Sequence, residues 1–310
     1  MASDAILRTY GDSAAKEDVV LNAIEILTAK ETQIFNMLGK TSAINTVHSY
    51  LTDTLRTPTL NGNAVEESAD YTMSANSTPS RLTNLVEICA TPFAVSRTQQ
   101  DISHYHGQDE LSRQTSKALL DWGNQAEFDL VRSVLASGVS GTVPKMNGII
   151  AAISKSTNYT SHTSAVAWSA SILDGLILAN WQNSNGDVAT DLFMGGIMRK
   201  NTDYFTQKTN MVVNGPAASS IVRTVSTYQT AFTTLNLHTH RYIFVSGTDL
   251  TGRVLGIRPE KLKVAFLKKP YIDNDLARSG DYDKRAIVGK MTLEVHNQDS
   301  NFYADGFLTS

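Results

Sequence analysis

The side chains of this 310-residue chain best suited to chemistry are seven histidines, one cysteine and a short acidic run. His104-x-His106 and His238-x-His240 would each place two imidazoles on one face of a strand, as a metal-ligand pair requires. A metal centre also needs further ligands and partners that orient them, and none is evident in the sequence. Both pairs read as ordinary polar histidines. Glu66, Glu67 and Asp70 form an acidic cluster. A catalytic carboxylate pair needs a walled pocket that splits its pKa values, and the polar stretch around these three predicts none. They read as a solvated face or as a contact to a basic neighbour. Gly247 to Arg253 (GTDLTGR) has the glycine spacing of a phosphate-binding loop, but Arg253 and Val254 stand where Lys and Ser or Thr are needed. Cys89, alone, excludes an intramolecular disulfide or a thiolate metal cluster and reads as a small buried apolar side chain. There is no G-x-S-x-G elbow and no H-E-x-x-H motif. No catalytic residue, cofactor or metal is expected, and the chain reads as a non-enzyme.

The element that would organise these residues runs from Gly107 to Gly138. Leu111, Ala118, Leu119, Trp122, Ala126, Leu130, Val134 and Leu135 recur at three- and four-residue spacings, one stripe of a helix. Asp109 and Glu110 suit its first turn and Gly138 its stop. At 1.5 Å per residue such a helix would be about 45 Å long. Before it, Met1 to Ala15 reads as a tail. Lys16 to Lys40 reads as one or two amphipathic helices, and Thr41 to Leu55 alternates, with Ile44, Val47 and Leu51 on apolar faces. Thr57 to Pro92 is polar and β-tolerant, with turn signals at Asn61-Gly62 and Asn76-Ser77-Thr78-Pro79. Such a ribbon is marginal in water by itself and needs a surface to lie on.

After the helix, Lys145 to Ile150 reads as a turn into a short buried element. Ala165 to Asn183 reads as a helix stopped by Asn185-Gly186. Asp191 to Gly195 (DLFMG) reads as a buried strand, Gly196 to Thr209 as a helix and Asn214-Gly215-Pro216 as a turn. Strands are then expected in VRTVSTYQTAF, RYIFVS and RVLGI. Leu262, Val264 and Phe266, and Met291, Leu293 and Val295, have the alternation of half-buried strands. The class is α+β rather than regular βαβ alternation.

Composition sets the outer limits. Hydrophobic residues are 41%, enough for a core, and charged residues are 18%. A net charge of −3 without long charge runs argues against a nucleic-acid reader. No stretch has the layout of a signal peptide or the length of a membrane span, so the chain is expected to be soluble and intracellular when made.

The motifs together resemble the major capsid proteins of tailed phages with the Hong Kong 97-type fold, and more closely the SU-ten-like major head protein family. They run along most of the chain: Asn45-Thr46-Val47-His48 with Thr52-Asp53, Glu66-Glu67, Arg81, Asn84, Glu87-Ile88 and Phe93-Ala94-Val95-Ser96. Asp109-Glu110-Leu111 with Gln114, Met146-Asn147-Gly148-Ile149, His240-Arg241, Val264-Ala265-Phe266-Leu267 and Thr292-Leu293-Glu294-Val295 follow.

The resemblance implies an N-terminal arm over 1–56, an extended E-loop ribbon over 57–95 that lies across a neighbouring subunit, and a peripheral P-domain over 96–150 carrying the spine helix. A mixed axial A-domain would occupy 151–250, with strands over 251–310 returning through both domains. It implies hexamers and pentamers of the chain in an icosahedral virion shell, assembled in the host bacterial cytoplasm. The further partners implied are a portal protein, scaffold or decoration proteins, and packaged double-stranded DNA held without sequence readout; no membrane is involved. The arm's five basic and seven acidic residues suit a lining that must not grip phosphates. Unlike the family's founding member, Thr57 to Pro92 has no lysine, so no isopeptide cross-link is expected there. If the numbering starts at the translation start, an internal scaffolding domain is absent and assembly is expected to need a separate scaffold or none.

Charge complementarity points to Glu66, Glu67 and Asp70 meeting Arg113 or Lys117 of a neighbour's spine helix, with Arg81 a further contact residue. The alternatives are an encapsulin-type compartment on the same fold and, more distantly, a soluble hydrolase using His104, His106 or the acidic cluster. A tail-tube protein would not need the spine helix.

Overall fold

The computed structural model describes residues 32–56, 58, 60, 64–70, 77–102, 109–139, 141–153, 157–207, 226–243, 252–274, 276–277 and 280–308. They begin with helix α1 (Gln33–Met37), strands β1 (Gly39–Ser42), β2 (Val47–Thr52), β3 (Ser80–Leu85) and β4 (Glu87–Ser96), and helices α2 (Arg97–Asp101), α3 (Glu110–Arg132) and α4 (Ile149–Ile153). Strand β5 (Tyr159–Val166), helix α5 (Ala170–Asn183), strand β6 (Asp191–Met194), helix α6 (Gly196–Gln207) and strands β7 (Thr227–Gln229), β8 (Thr234–Thr239) and β9 (Gly252–Ile257) follow. After a 3-10 turn at Pro259–Lys261 come β10 (Leu262–Asp273), β11 (Tyr282–Val295) and β12 (Phe302–Phe307).

Helix α3 is the organising element, as its stripe requires. Asp109 caps it, accepting from the Ser112 N–H at 3.0 Å, and Glu110 lies in the first turn. Leu111, Ala118, Trp122, Ala126 and Leu130 are buried, while Leu119 is exposed. The helix stops at Arg132, short of Gly138. Tertiary contacts end it: the Ser133 hydroxyl donates to Glu87 at 3.2 Å, and its carbonyl accepts from the Gly148 N–H at 2.8 Å. A Cβ on Gly148 would stand 2.8 Å from the Ser133 nitrogen, so glycine permits this approach. Val134 and Leu135, expected on the stripe, are exposed beyond the helix, where Ala136 bridges to Lys145. The helix start expected at Gly107 lies outside the described residues.

The described strands form two sheets and a ribbon. The four-stranded sheet has the order β1-β10-β11-β4, the six-stranded sheet β5-β12-β9-β6-β8-β7, and β2 pairs with β3 alone. Parallel pairs (β1 with β10, β5 with β12, β6 with β8) mix with antiparallel ones, giving a mixed α/β architecture. The main core lies between α3, α4 and the four-stranded sheet and continues through Phe193, Leu255 and Tyr303 into the six-stranded sheet. A second cluster joins α5, β6, β8 and β12.

Most expected elements appear. Ile149–Ile153 is a short buried helix, DLFM a fully buried strand, and RVLGI lies within β9. Helix α5 ends at Asn183, and Asn185 and Gly186 follow with positive φ. Other expectations need correcting. Ile44, Val47 and Leu51 are exposed rather than on buried faces. Of VRTVSTYQTAF, residues 222–225 lie outside the described residues and Thr227–Gln229 form β7; β8 was not expected. In RYIFVS, residues 241–243 form a turn and the remainder lies outside the description. The tail, most of the arm helix (α1 alone is described), Asn214-Gly215-Pro216 and both histidines of His104-x-His106 lie outside it too. Strand β11 is buried on both faces near its end: Thr292 and Glu294 are as inaccessible as Met291 and Leu293. The ribbon, through His48, Tyr50 and Asn84, lies against that end.

Candidate assembly surface

The ribbon of β2 and β3 runs antiparallel from Val47 opposite Leu85 to Thr52 opposite Ser80. Its base is tied to the body by side chains. His48 Nε2 donates to Glu294 Oε1 at 2.7 Å, the Val295 N–H donates to the Tyr50 hydroxyl at 3.1 Å, and Asn84 Nδ2 donates to the Leu293 carbonyl at 2.8 Å. Glu294 also accepts from His296 Nε2 at 3.0 Å. One buried carboxylate therefore serves two imidazoles at the root of the ribbon.

Beyond Thr52 the chain leaves the body. Leu60 is 95% and Val65 61% exposed, and Glu66, Glu67 and Asp70 are exposed beside them. The Ala69 N–H donates to the Glu66 carbonyl at 3.1 Å, closing a local turn. Exposed large aliphatic side chains interleaved with carboxylates mark a segment that buries little in its own chain.

The proposed contact residues fall on two elements. Arg81 lies on β3, where Nη2 donates to the Ser49 hydroxyl at 2.8 Å across the ribbon. Arg113 is engaged within its own helix: Nε and Nη2 donate to the two oxygens of Glu110 at 2.8 and 2.6 Å. Lys117 is exposed on α3. Nothing among the described residues brings the acidic three to Arg113 or Lys117 within one chain.

The remaining chemical candidates are structural. His238 Nε2 donates to Asp191 at 3.0 Å within the six-stranded sheet. His240 Nε2 donates to Glu127 Oε1 at 2.8 Å, and both side chains are fully buried. Glu127 also accepts from the backbone N–H groups of Ile34 and Phe35 at 2.7 and 2.6 Å. It thus joins α1, α3 and the end of β8. The pair His238-x-His240 serves two different carboxylates instead of one metal. Residues 247–251 of the glycine-spaced loop lie outside the description.

Glu87, Cys89 and Asp129 bring their ligand atoms within 4.8 Å of one another. These atoms already have protein partners: Glu87 accepts from Ser133 and from the Met146 N–H at 3.1 Å, and Asp129 accepts from Gln125 at 2.9 Å and from the Cys89 thiol at 3.9 Å. Burial pushes the Glu87 and Asp129 carboxyls above the usual range, and the charge of Asp129 raises Glu87 further. Burial, with both neighbouring carboxylates, raises the Cys89 thiol as well. A thiol held protonated beside filled carboxylates suits a packed joint between β4 and α3 better than a metal centre.

Glu127, next to Ala126 on the buried stripe, was not expected as a structural residue, because nothing local distinguishes it from an ordinary helical glutamate. The motifs themselves converge. Asn84 holds the Asn147 N–H at 2.8 Å, Glu87 holds Met146, His48 holds Glu294 and His240 holds Glu127.

With this geometry in place, comparison with known proteins gives the lineage. The profile of the SU10 major capsid protein family matches residues 7–306. The chain belongs to that family. No curated protein matches it. Among solved structures, the SU10-family chain resembles the capsid asymmetric unit of cyanophage A-1(L), with a TM-score of 0.72 at 10% identity, covering 98% of this chain and 100% of that one. It also resembles a chain from Mycobacterium phage Adephagia (TM-score 0.65, 10% identity, 97% and 98% covered). An encapsulin, SrpI of Synechococcus elongatus, matches at TM-score 0.55 and 12% identity, covering 94% of each chain. At these identities the likeness is one of fold. The family is a structural, shell-forming one, and no described helix is long and apolar enough to cross a membrane.

Proposed function

We propose that this chain is the major head protein of a tailed double-stranded DNA phage, assembling as hexamers and pentamers into the icosahedral shell that encloses the genome. The match to the SU10 major capsid protein family over residues 7–306 carries the reading. In this reading 1–56 is the arm, 57–95 the E-loop, 96–150 the P-domain with α3 as its spine, and 151–250 most of the A-domain, completed by strands of 251–310. Two features of the subunit support it. Leu55, Leu60 and Val65 beyond Thr52 are exposed beside Glu66, Glu67 and Asp70, and closed symmetry lets many weak contacts of one kind add up. The net charge of −3 suits a container that takes in DNA without binding it tightly. A portal protein, with scaffold or decoration proteins, completes the set of partners, and the shell forms in the host cytoplasm.

A second reading keeps the fold and changes the contents. The likeness to the SrpI encapsulin supports it; the family match and the higher TM-scores of the phage chains favour the first. Particles recovered from a producing culture decide between them. Nuclease-protected double-stranded DNA co-sedimenting with this chain is the expected result. Particles filled with a protein cargo and no DNA would establish the compartment. Mature particles are also expected to dissolve into single chains on a denaturing gel, because residues 57–92 offer no lysine for a cross-link.

A further inference from the structure

The end of β8 meets α1 and the spine helix at one buried carboxylate. Glu127 of α3 accepts from the Ile34 and Phe35 N–H groups at 2.7 and 2.6 Å and from His240 Nε2 at 2.8 Å. Both side chains of the Glu127–His240 pair are shielded from water. His240 has a second bond, in which the Tyr242 N–H donates to Nδ1 at 3.3 Å. A ring nitrogen that accepts an N–H carries no proton of its own. The hydrogen bonds therefore assign His240 as the neutral imidazole with its proton on Nε2. Both ring nitrogens are engaged, and a second proton has no place without breaking a bond.

The surroundings are mostly apolar. Phe193 lies edge-on to the imidazole at 5.9 Å and Tyr242 at 5.7 Å, with Phe128 packed on Tyr242 at 5.7 Å. Charged and titratable groups stand around this shell. Glu127 faces the ring from α3, and Lys40 of β1 is attracted by the same carboxylate from the arm side. The His238–Asp191 pair lies across the Phe193 ring, on which His238 stacks at 4.8 Å. The Arg132 guanidinium stands 6.0 Å from the centre of the Phe128 ring. Next to Tyr242, Ile243 is fully buried in the main core. The turn at 241–243 is thus held by one polar bond to His240 and one apolar anchor.

We propose that His240 is a proton-operated catch: one proton taken from solvent at Nδ1 breaks the Tyr242 bond and releases the turn at 241–243, while Glu127 keeps its hold on α1. Once Nδ1 carries hydrogen it meets the Tyr242 N–H donor to donor, and a buried donor without an acceptor is costly. The turn must swing away, and Ile243 moves with it. On the other side of the ring, an imidazolium binds a carboxylate more strongly than a neutral imidazole does. The Nε2 contact and the two α1 bonds therefore persist. Opening takes up one proton, so acid favours the open form. The inference is independent of the proposed shell function.

Hydrogen exchange read by mass spectrometry on the full chain tests it, with rates corrected for intrinsic exchange at each pH. Between pH 8 and pH 5.5 the segment 240–243 is expected to lose protection about tenfold, the effect of one proton bound by an exposed imidazole. Segments over α1 and α3 are expected to keep theirs. H240Q supplies an N–H to Glu127 and a carbonyl to Tyr242 but gains no proton, so its 240–243 segment is expected to stay equally protected at both pH values. H238Q alters the imidazole across Phe193 and is expected to keep the acid response. Nitrogen-15 NMR of the histidines in the unaltered chain gives a second readout that needs no variant to fold. His240 is expected to be neutral with its proton on Nε2 at pH 8 and doubly protonated where 240–243 opens. An acid response that persists in H240Q or vanishes in H238Q overturns the catch, as does a doubly protonated His240 at pH 8 with the turn closed. Loss of α1 protection in step with 240–243 assigns the proton to Glu127 and overturns it as well.

Discussion

At the scale of single residues, Glu127 has the largest structural consequence. It accepts two backbone N–H groups of α1 and the His240 imidazole while fully buried. Removing one partner of such a set costs about 3–5 kcal/mol, so Glu127→Ala should lower the subunit's melting temperature sharply and raise hydrogen exchange in α1. An unchanged melting curve would contradict this. Glu87 and Asp129 behave in the opposite sense. Their folded-state pKa values are raised, so the stability they contribute is present below the ordinary carboxylate range and lost as pH rises through the raised values. Glu87→Gln keeps an acceptor for Ser133 and Met146 and removes the charge. It should stabilise the subunit near pH 8 and change little near pH 4; equal effects at both would contradict the assignment. Neither role is legible in the sequence alone. Glu127 looks like any helical glutamate until α1 and His240 are folded against it, from 93 and 113 positions away in the chain.

At the scale of elements, periodicity carries far and then fails where tertiary contacts decide. The stripe from Leu111 to Leu130 identifies α3, because 3.6-residue spacing is a property of the chain itself. Its end at Arg132 is set by Glu87 and Gly148, which local pattern does not encode. Strand β11 alternates as if half-buried, yet both faces are covered at its end because the ribbon folds back over it. Gly289 marks where α3 presses on that strand. Gly289→Ala would drive a methyl into the Trp122 ring and should cost about 1–3 kcal/mol, checked by thermal or denaturant unfolding. The loop beyond the ribbon makes the contrasting case. Replacing residues 56–77 with a short Gly-Ser link should leave subunit stability nearly unchanged, because the described apolar residues there are exposed, and should abolish particles.

At the scale of the whole molecule, family and class were legible because motifs distant in sequence had to meet in space. Asn84 with Asn147, Glu87 with Met146 and His48 with Glu294 are such meetings. The register of β10 on β11 was not legible, since Lys268 and Lys290 become neighbours only once the two strands pair. The proposed shell requires that subunits complete one another in a closed lattice. The most direct test is a cryo-electron microscopy reconstruction of the particles this chain forms when expressed alone. The expected result is a closed icosahedral shell of sixfold and fivefold capsomers into which this fold fits, with density for the Glu66–Asp70 loop on a neighbour. A chain that remains a monodisperse monomer or dimer at high concentration and salt, or one that stacks into a tube, would contradict it.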